Sequence, residues 1–156
     1  MTSRKWKVFE DRTHEYLKKR AETSLLVVHR FYDTRSAGDF LPSQPGDFLV
    51  VYSGVPILLE LKASDKHASL RACFSNNVSS GQLAQHRIWG RAKVATWFLF
   101  HGKGADFPYE LWPGYHLVYT SDIPRARLET QFKRSFWSLP DMLEAVLEAT
   151  LKGKRL

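Results

Sequence analysis

The sequence predicts an α/β fold in which a central mixed β-sheet is flanked by helices. Two observations carry that expectation. Apolar, β-branched runs of strand length alternate with segments whose apolar residues recur at helical spacing. Two of the strand-like runs, Asp47 to Tyr52 and Val55 to Lys62, meet at Ser53-Gly54, a hairpin signature. The resulting order is α-β-β-β-α-β-β-α-α.

Each element has its own warrant. Residues 3–21 read as a helix, with Trp6, Phe9, Thr13, Tyr16 and Leu17 near one stripe and Glu10, Asp11, His14, Glu15 and Lys18 flanking it. Leu25 to Phe31 is an apolar, β-branched strand. Residues 33–45 hold Asp, Gly, Ser and two Pro, so they form a connection. The hairpin strands follow, then an irregular stretch at 65–78. Ser79 or Ser80 caps a helix from about Gly81 to Lys93, and Val94 to His101 is a fourth strand. Tyr115 to Thr120 is expected as a fifth. Ser121 or Asp122 then caps a short helix with Pro124 early in it. Ser138-Leu-Pro-Asp opens a last amphipathic helix carrying Leu143, Val146, Leu147 and Leu151. The basic end after Lys152 is expected to fray.

Length and composition narrow the function classes. The 156 residues fit one domain, with a core over about 5–120 and a helical tail over about 121–156. The lone cysteine, Cys73, excludes an internal disulfide and a Cys/His zinc cluster, and no His/Asn pattern supports it as a nucleophile. It reads as a buried, inert thiol suited to a reducing compartment, so a cytoplasmic location is expected, in a bacterial, archaeal or phage-infected cell. No run of about 18 apolar residues suggests a membrane span. The basic N-terminus lacks the apolar stretch of a signal peptide. The net charge of +7, from 23 Lys+Arg against 16 Asp+Glu, favours a polyanionic partner. Aromatics at 13% add surfaces on which unpaired bases can stack. His29, His67, His101 and His116 show no metal-ligand spacing and read as structural or surface residues. The basic surface is expected from Lys18-Lys19-Arg20, Arg87, Arg91, Lys93, Arg125, Arg127, Lys133 and Arg134.

The chemistry concentrates in Pro45-Gly46-Asp47 and Glu60-Leu61-Lys62. Residues i and i+2 of a strand share a face, so Glu60 and Lys62 project together, with Ser64 next on that face. Pairing around Ser53-Gly54 places Asp47 nearly opposite Glu60, where both can converge on one cation. A Glu and a Lys at the end of an otherwise apolar strand are costly to bury unless they pair or bind metal.

On these residues the sequence resembles the PD-(D/E)xK nuclease superfamily. Pro45-Gly46-Asp47 stands for its "PD" element, with Gly46 inserted, and Glu60-Leu61-Lys62 for "ExK". Within it, the chain is most similar to Holliday junction resolvases of the RecU and archaeal types. The likeness runs over roughly residues 5–101. The resemblance implies a restriction-endonuclease-like sheet and a site that binds Mg²⁺, with Mn²⁺ as the alternative. It implies Asp47 and Glu60 as principal ligands, joined by the Leu61 carbonyl and by Glu10, with Glu15 as competitor. It further implies Lys62 beside the attacking water and Gln82 on water or DNA. DNA contacts are expected from Arg35, Ser36, Ser64 and His86, with Arg87 and Arg91 in the basic track. The expected partner is branched DNA, and paired cuts call for a homodimer. A less selective nuclease of the same type, phage-encoded or restriction-like, is the first alternative. An inactive DNA-binding module is the second.

Overall fold

A computed structural model of the chain describes residues 2–31, 44–104, 106–114 and 133–154. The first helix, α1 (Thr2–Glu22), buries Phe9, Thr13 and Leu17, a stripe at the spacing that the sequence predicts. Trp6 departs from that stripe and is 42% exposed. Strands β1 (Leu26–Arg30), β2 (Phe48–Tyr52) and β3 (Val55–Ala63) follow as an antiparallel meander. At the hairpin turn Ser53 has φ 50° and Gly54 φ 81°. Two consecutive positive-φ residues make the turn whose twist matches the flanking strands.

The chain then runs through α2 (Leu70–Asn77) and α3 (Ser80–Arg91) before β4 (Ala95–His101), β5 (Tyr109–Pro113), β6 (Arg134–Phe136) and α4 (Leu139–Lys154). The sheet order is β1-β2-β3-β4-β5-β6. Its β3–β4 pair is parallel and the others antiparallel, so the sheet is mixed and the α/β expectation holds. None of the described helices is long and apolar enough to cross a membrane.

Three elements depart from the sequence reading. The stretch expected to be irregular contains α2, capped by the Ser69 side chain on the Arg71 N–H. Residues 109–113 form β5, although Pro113 and a buried Glu110 disguise the run. The three-residue β6 is defined only by its pairing with β5. The strand expected at Tyr115–Thr120 and the helix expected after it lie outside the described residues.

The sheet separates two cores. Ile57, Leu59 and Leu61 of β3 pack with Phe9 and Leu17 of α1 and with Met142, Leu143 and Val146 of α4. On the other face, Phe98, Phe100 and Trp112 pack with Leu70, Cys73 and Phe74 of α2 and with Leu83 of α3. Cys73 is thus a core residue, and burial pushes its thiol pKa up, away from nucleophile chemistry. Helix α4 is tied to α1 by polar contacts. Glu144 accepts a hydrogen bond from the Tyr16 hydroxyl at 2.6 Å and is ion-paired with Arg20 at 3.0 Å. Arg20 is therefore an inter-helix strut rather than part of a loose basic face.

Gly46 is where β2 begins its approach to β3. A Cβ there would stand 2.8 Å from the backbone oxygen of Leu59 and 3.1 Å from Leu58 Cδ1. The same Leu59 oxygen accepts the Asp47 N–H at 2.8 Å. A backbone atom of a central strand has little room to yield, so Gly46→Ala is expected to destabilise the protein by about 1–3 kcal/mol. The denaturation midpoint measured at constant m-value checks this. An unchanged midpoint would show that the two strands are not held this close.

Candidate active site

Strand β3 is buried without interruption from Ile57 to Leu61, and Glu60 is the charged residue in that stretch, 4% exposed. Its place is fixed by the hairpin. Phe48 lies opposite Leu59, so Asp47, one residue earlier, falls opposite Glu60. Asp47 Oδ2 accepts the Leu61 N–H at 2.7 Å. An extended residue points its N–H and C=O to the same side, so the Leu61 carbonyl also lies on the Asp47 side of β3.

Glu60 has two partners. Its Oε1 lies 3.3 Å from Lys62 Nζ and accepts from Gln82 Nε2 at 2.8 Å. Gln82 is itself held at the start of α3. Its Oε1 accepts the Ser79 N–H at 3.0 Å, while Ser79 Oγ accepts the Gln82 N–H at 3.1 Å. This capping box locks the amide so that its NH₂ points at Glu60. Gln82 thus meets the carboxylate directly and steadies it from the helix side.

Glu10 enters from α1. It is buried, its Oε2 has no hydrogen-bond partner, and its carboxyl feels the charge of Asp47. Glu15, the competing glutamate, is exposed and paired with Lys19 at 3.9 Å. The helix rotation therefore turns Glu10 inward and Glu15 to solvent.

Three carboxyls from α1, the start of β2 and β3 thus crowd one place, with electrostatic consequences. Burial, then the Asp47 charge, push the Glu10 pKa up to about 8. Burial, then Asp47, push Glu60 up to about 8, against the opposing pull of Lys62. Asp47 is also raised, chiefly by burial, although the Leu61 N–H and the Lys62 charge oppose it. Arg30 completes the group. It ends β1 opposite Phe48, ion-pairs with Asp11 at 2.8 Å, and its charge favours ionised Glu10 and Asp47. Sequence reasoning passed over Arg30, because its nearness to Asp47 appears only once β1 is paired with β2.

Other expected site residues go elsewhere. His86 is fully buried, stacked on Phe98 with ring centroids 4.2 Å apart. From there it cannot touch DNA, and the expectation of a contact is corrected. Burial lowers its pKa to about 4, so it is a neutral packing residue. Ser64 is buried too, and its hydroxyl oxygen accepts the N–H groups of Lys66 and His67 at 3.2 and 3.0 Å. That oxygen organises the turn after β3 rather than presenting itself to a phosphate. Arg87 and Arg91 are exposed on α3. Arg35 and Ser36 lie outside the described residues, as do Arg125, Arg127 and His116.

A further buried carboxylate, Glu110, faces the same side of the sheet as Glu60 but is fully engaged. Glu110 Oε1 accepts from the Leu70 N–H at 3.0 Å and from Trp112 Nε1 at 3.1 Å, and Oε2 lies 3.6 Å from Lys133 Nζ. It anchors the start of α2 and takes Lys133 out of the basic surface.

Among the described residues, no three His, Cys, Asp or Glu side chains already form a ready-made metal cage. The donor set nevertheless suits a hard cation that retains water. Mg²⁺ is commonly held by one or two carboxylates, with waters filling the remaining positions. The partnerless Glu10 Oε2 and the mutual repulsion of the carboxyls are what a bound cation would relieve.

No protein-family model matches this chain, and no curated protein does. Among solved structures, it is similar to the 1.6 Å structure of Hjc, a Holliday junction resolvase from the archaeal hyperthermophile Archaeoglobus fulgidus. The two share 13% sequence identity with a TM-score of 0.45, over 71% of this chain and 82% of that one.

Proposed function

We propose that this chain is a metal-dependent DNA endonuclease of the PD-(D/E)xK type that hydrolyses phosphodiester bonds, with branched DNA, four-way junctions above all, as its substrate. One observation carries the reading. Glu10, Asp47 and Glu60 come from separate elements, act on one another's charge, and have Lys62 3.3 Å from Glu60. A purely structural cluster of acids would be expected to be matched by buried cations or full hydrogen bonding. This one leaves a carboxylate oxygen orphaned.

In this reading Asp47, Glu60, Glu10 and the Leu61 carbonyl hold Mg²⁺, or Mn²⁺ in its place. When bound, such an ion polarises the phosphoryl oxygen and lowers the pKa of bound water. Lys62 orients the attacking water and offsets charge building on the phosphate. Gln82 keeps Glu60 in place through the α3 cap. Arg30 limits repulsion among the acids. Arg87 and Arg91 on α3, with the net charge of +7, attract the DNA backbone. Two incisions across a junction need two such sites, which a twofold dimer supplies.

The purified protein is expected to cut DNA with Mg²⁺ and to stop when EDTA is added. Four-way junction, linear duplex and single strand are to be compared at matched salt, because salt alone moves affinity by orders of magnitude. Equal rates on all three would keep the nuclease and remove the junction preference. DNA binding without cleavage in either metal would leave an inactive binding module. Light scattering tests the dimer; a strict monomer on a junction would count against paired incision.

A further inference from the structure

A cleft of about 290 Å³ lies along the first half of α1, lined on the helix side by Arg4, Lys5, Phe9 and Arg12. Across from them are Tyr109, Leu139 and His101. Its acid, Asp65, lies 3.8 Å from Lys5 Nζ, and Lys5 also donates to the carbonyl oxygens of Ser64 and Gly102 at 3.1 and 3.0 Å. Lys5 is thus a strut between α1 and the ends of β3 and β4. Arg4 and Arg12 are exposed and form no ion pair among the described residues, so their charge is available.

The cleft is also aromatic. His101 lies flat on Tyr109, centroids 4.4 Å apart and planes 13° apart, with Phe9 edge-on to His101 at 5.6 Å. Phe107 and Trp137 do not line the cleft but stand two residues before Tyr109 and Leu139, which do, and Tyr109 is paired with Phe136, the neighbour of Trp137. These two rings pack on each other at 4.8 Å yet remain 47% and 61% exposed.

We infer that this cleft takes an unpaired nucleotide of a DNA strand, with Arg4 and Arg12 on its phosphates and the Phe107–Trp137 pair stacked on its base. An apolar ligand would leave the two guanidiniums unused, and a simple anion would leave the rings unused. A nucleotide engages both, because guanidinium matches phosphate oxygens bidentately and any base offers a π-face. Bases in a duplex are already stacked and present only their edges to a protein. The inference rests on the nuclease reading and deepens it, since it specifies a strand whose pairing is broken, as at a branch point.

The test uses the full chain carrying Glu60→Gln, in EDTA, with a fluorescein-labelled oligothymidine and a blunt duplex of equal length, read by anisotropy. Trp137→Ala, and separately Arg4→Ala with Arg12→Ala, are each expected to weaken single-strand binding roughly tenfold. For Trp137→Ala, duplex binding should change by less than about twofold, because the duplex offers no unpaired base to stack. The arginine pair should also flatten the single-strand salt slope by about 1.4, two phosphates' worth. Trp137→Phe, which keeps a ring, should retain most of the affinity, and Lys152→Ala serves as the charge control. Equal losses on duplex and single strand for Trp137→Ala, or no loss of single-strand binding in either variant, overturn the cleft assignment. If the wild-type chain cuts branched DNA while the cleft variants bind like their parent, the cleft alone falls. If the chain neither binds nor cuts DNA, the nuclease reading fails and takes the cleft with it.

Discussion

Glu60→Gln is expected to lower Mg²⁺-dependent DNA cleavage by at least about 10²–10³-fold, the loss typical when one preorganised electrostatic group is removed from a reaction centre. The substitution keeps the shape of the side chain and an acceptor for the Gln82 amide, which now donates to Glu60 Oε1 at 2.8 Å. It removes the charge that a cation would bind, and the anion 3.3 Å from Lys62 Nζ. Fold and DNA affinity should survive, because the exchange takes a charge away from a crowded acid cluster. Glu10→Gln should also impair cleavage, whereas Glu15→Gln should change it by less than about twofold, in line with the small worth of an exposed ion pair. Measured with the same substrate and metal, Glu60→Gln cleaving at the wild-type rate would sink the site assignment. An effect of Glu15→Gln as large as that of Glu10→Gln would mean that the α1 rotation is wrong.

Some of this site was legible because its geometry is local. Counting outward from Ser53-Gly54 puts Asp47 across from Glu60, and that count needs only a two-residue turn. The period of two puts Glu60 and Lys62 on one face for the same reason. Choosing Glu10 over Glu15 needed the rotation of α1 against the sheet, which the stripe of Phe9, Thr13 and Leu17 contains but does not make plain. His86 was misread although the information was there. It lies one turn after Gln82, so a helix that points Gln82 at Glu60 also points His86 at the sheet. Polarity suggested a surface, yet Phe98 supplies a stacking face and Gly114 leaves room, since a Cβ there would meet the His86 ring. Helix α2 carries Leu70, Cys73 and Phe74 at helical spacing, but a single short stripe among Ser and Asn residues is a weak signal. Strand β6 and the nearness of Arg30 to Asp47 are non-local. Each exists only because another strand pairs with it, and no window along the chain contains both partners.

The crowding of Glu10 and Glu60 also predicts how stability depends on pH and metal. Both folded pKa values, about 8, exceed their ordinary 4.5. Between those limits the folded chain keeps protons that the unfolded chain has lost, so stability falls as pH rises through the window. His86 and His101 act in the opposite sense. Burial lowers both from 6.5 to about 4, so stability rises with pH up to about 6.5 and is indifferent to them above it. From pH 6.5 to 8 the carboxyls act without that opposition. One retained proton over that interval corresponds to about 2 kcal/mol. Because the carboxyls are coupled through Asp47, the two contributions are not expected to double. In EDTA, Tm should therefore drop by roughly 4–8 °C across the interval, given the sensitivity usual at this chain length. Glu60→Gln should flatten the drop and raise Tm at pH 8. Mg²⁺ should reverse the drop, raising Tm more at pH 8 than at pH 6.5, because it binds the deprotonated carboxylates and competes with protons for them. Thermal melts with and without Mg²⁺ at the two pH values decide the matter. A flat metal-free profile would show that the three acids do not repel one another in the folded chain. An equal Mg²⁺ effect at both pH values would place the cation away from Glu10, Asp47 and Glu60.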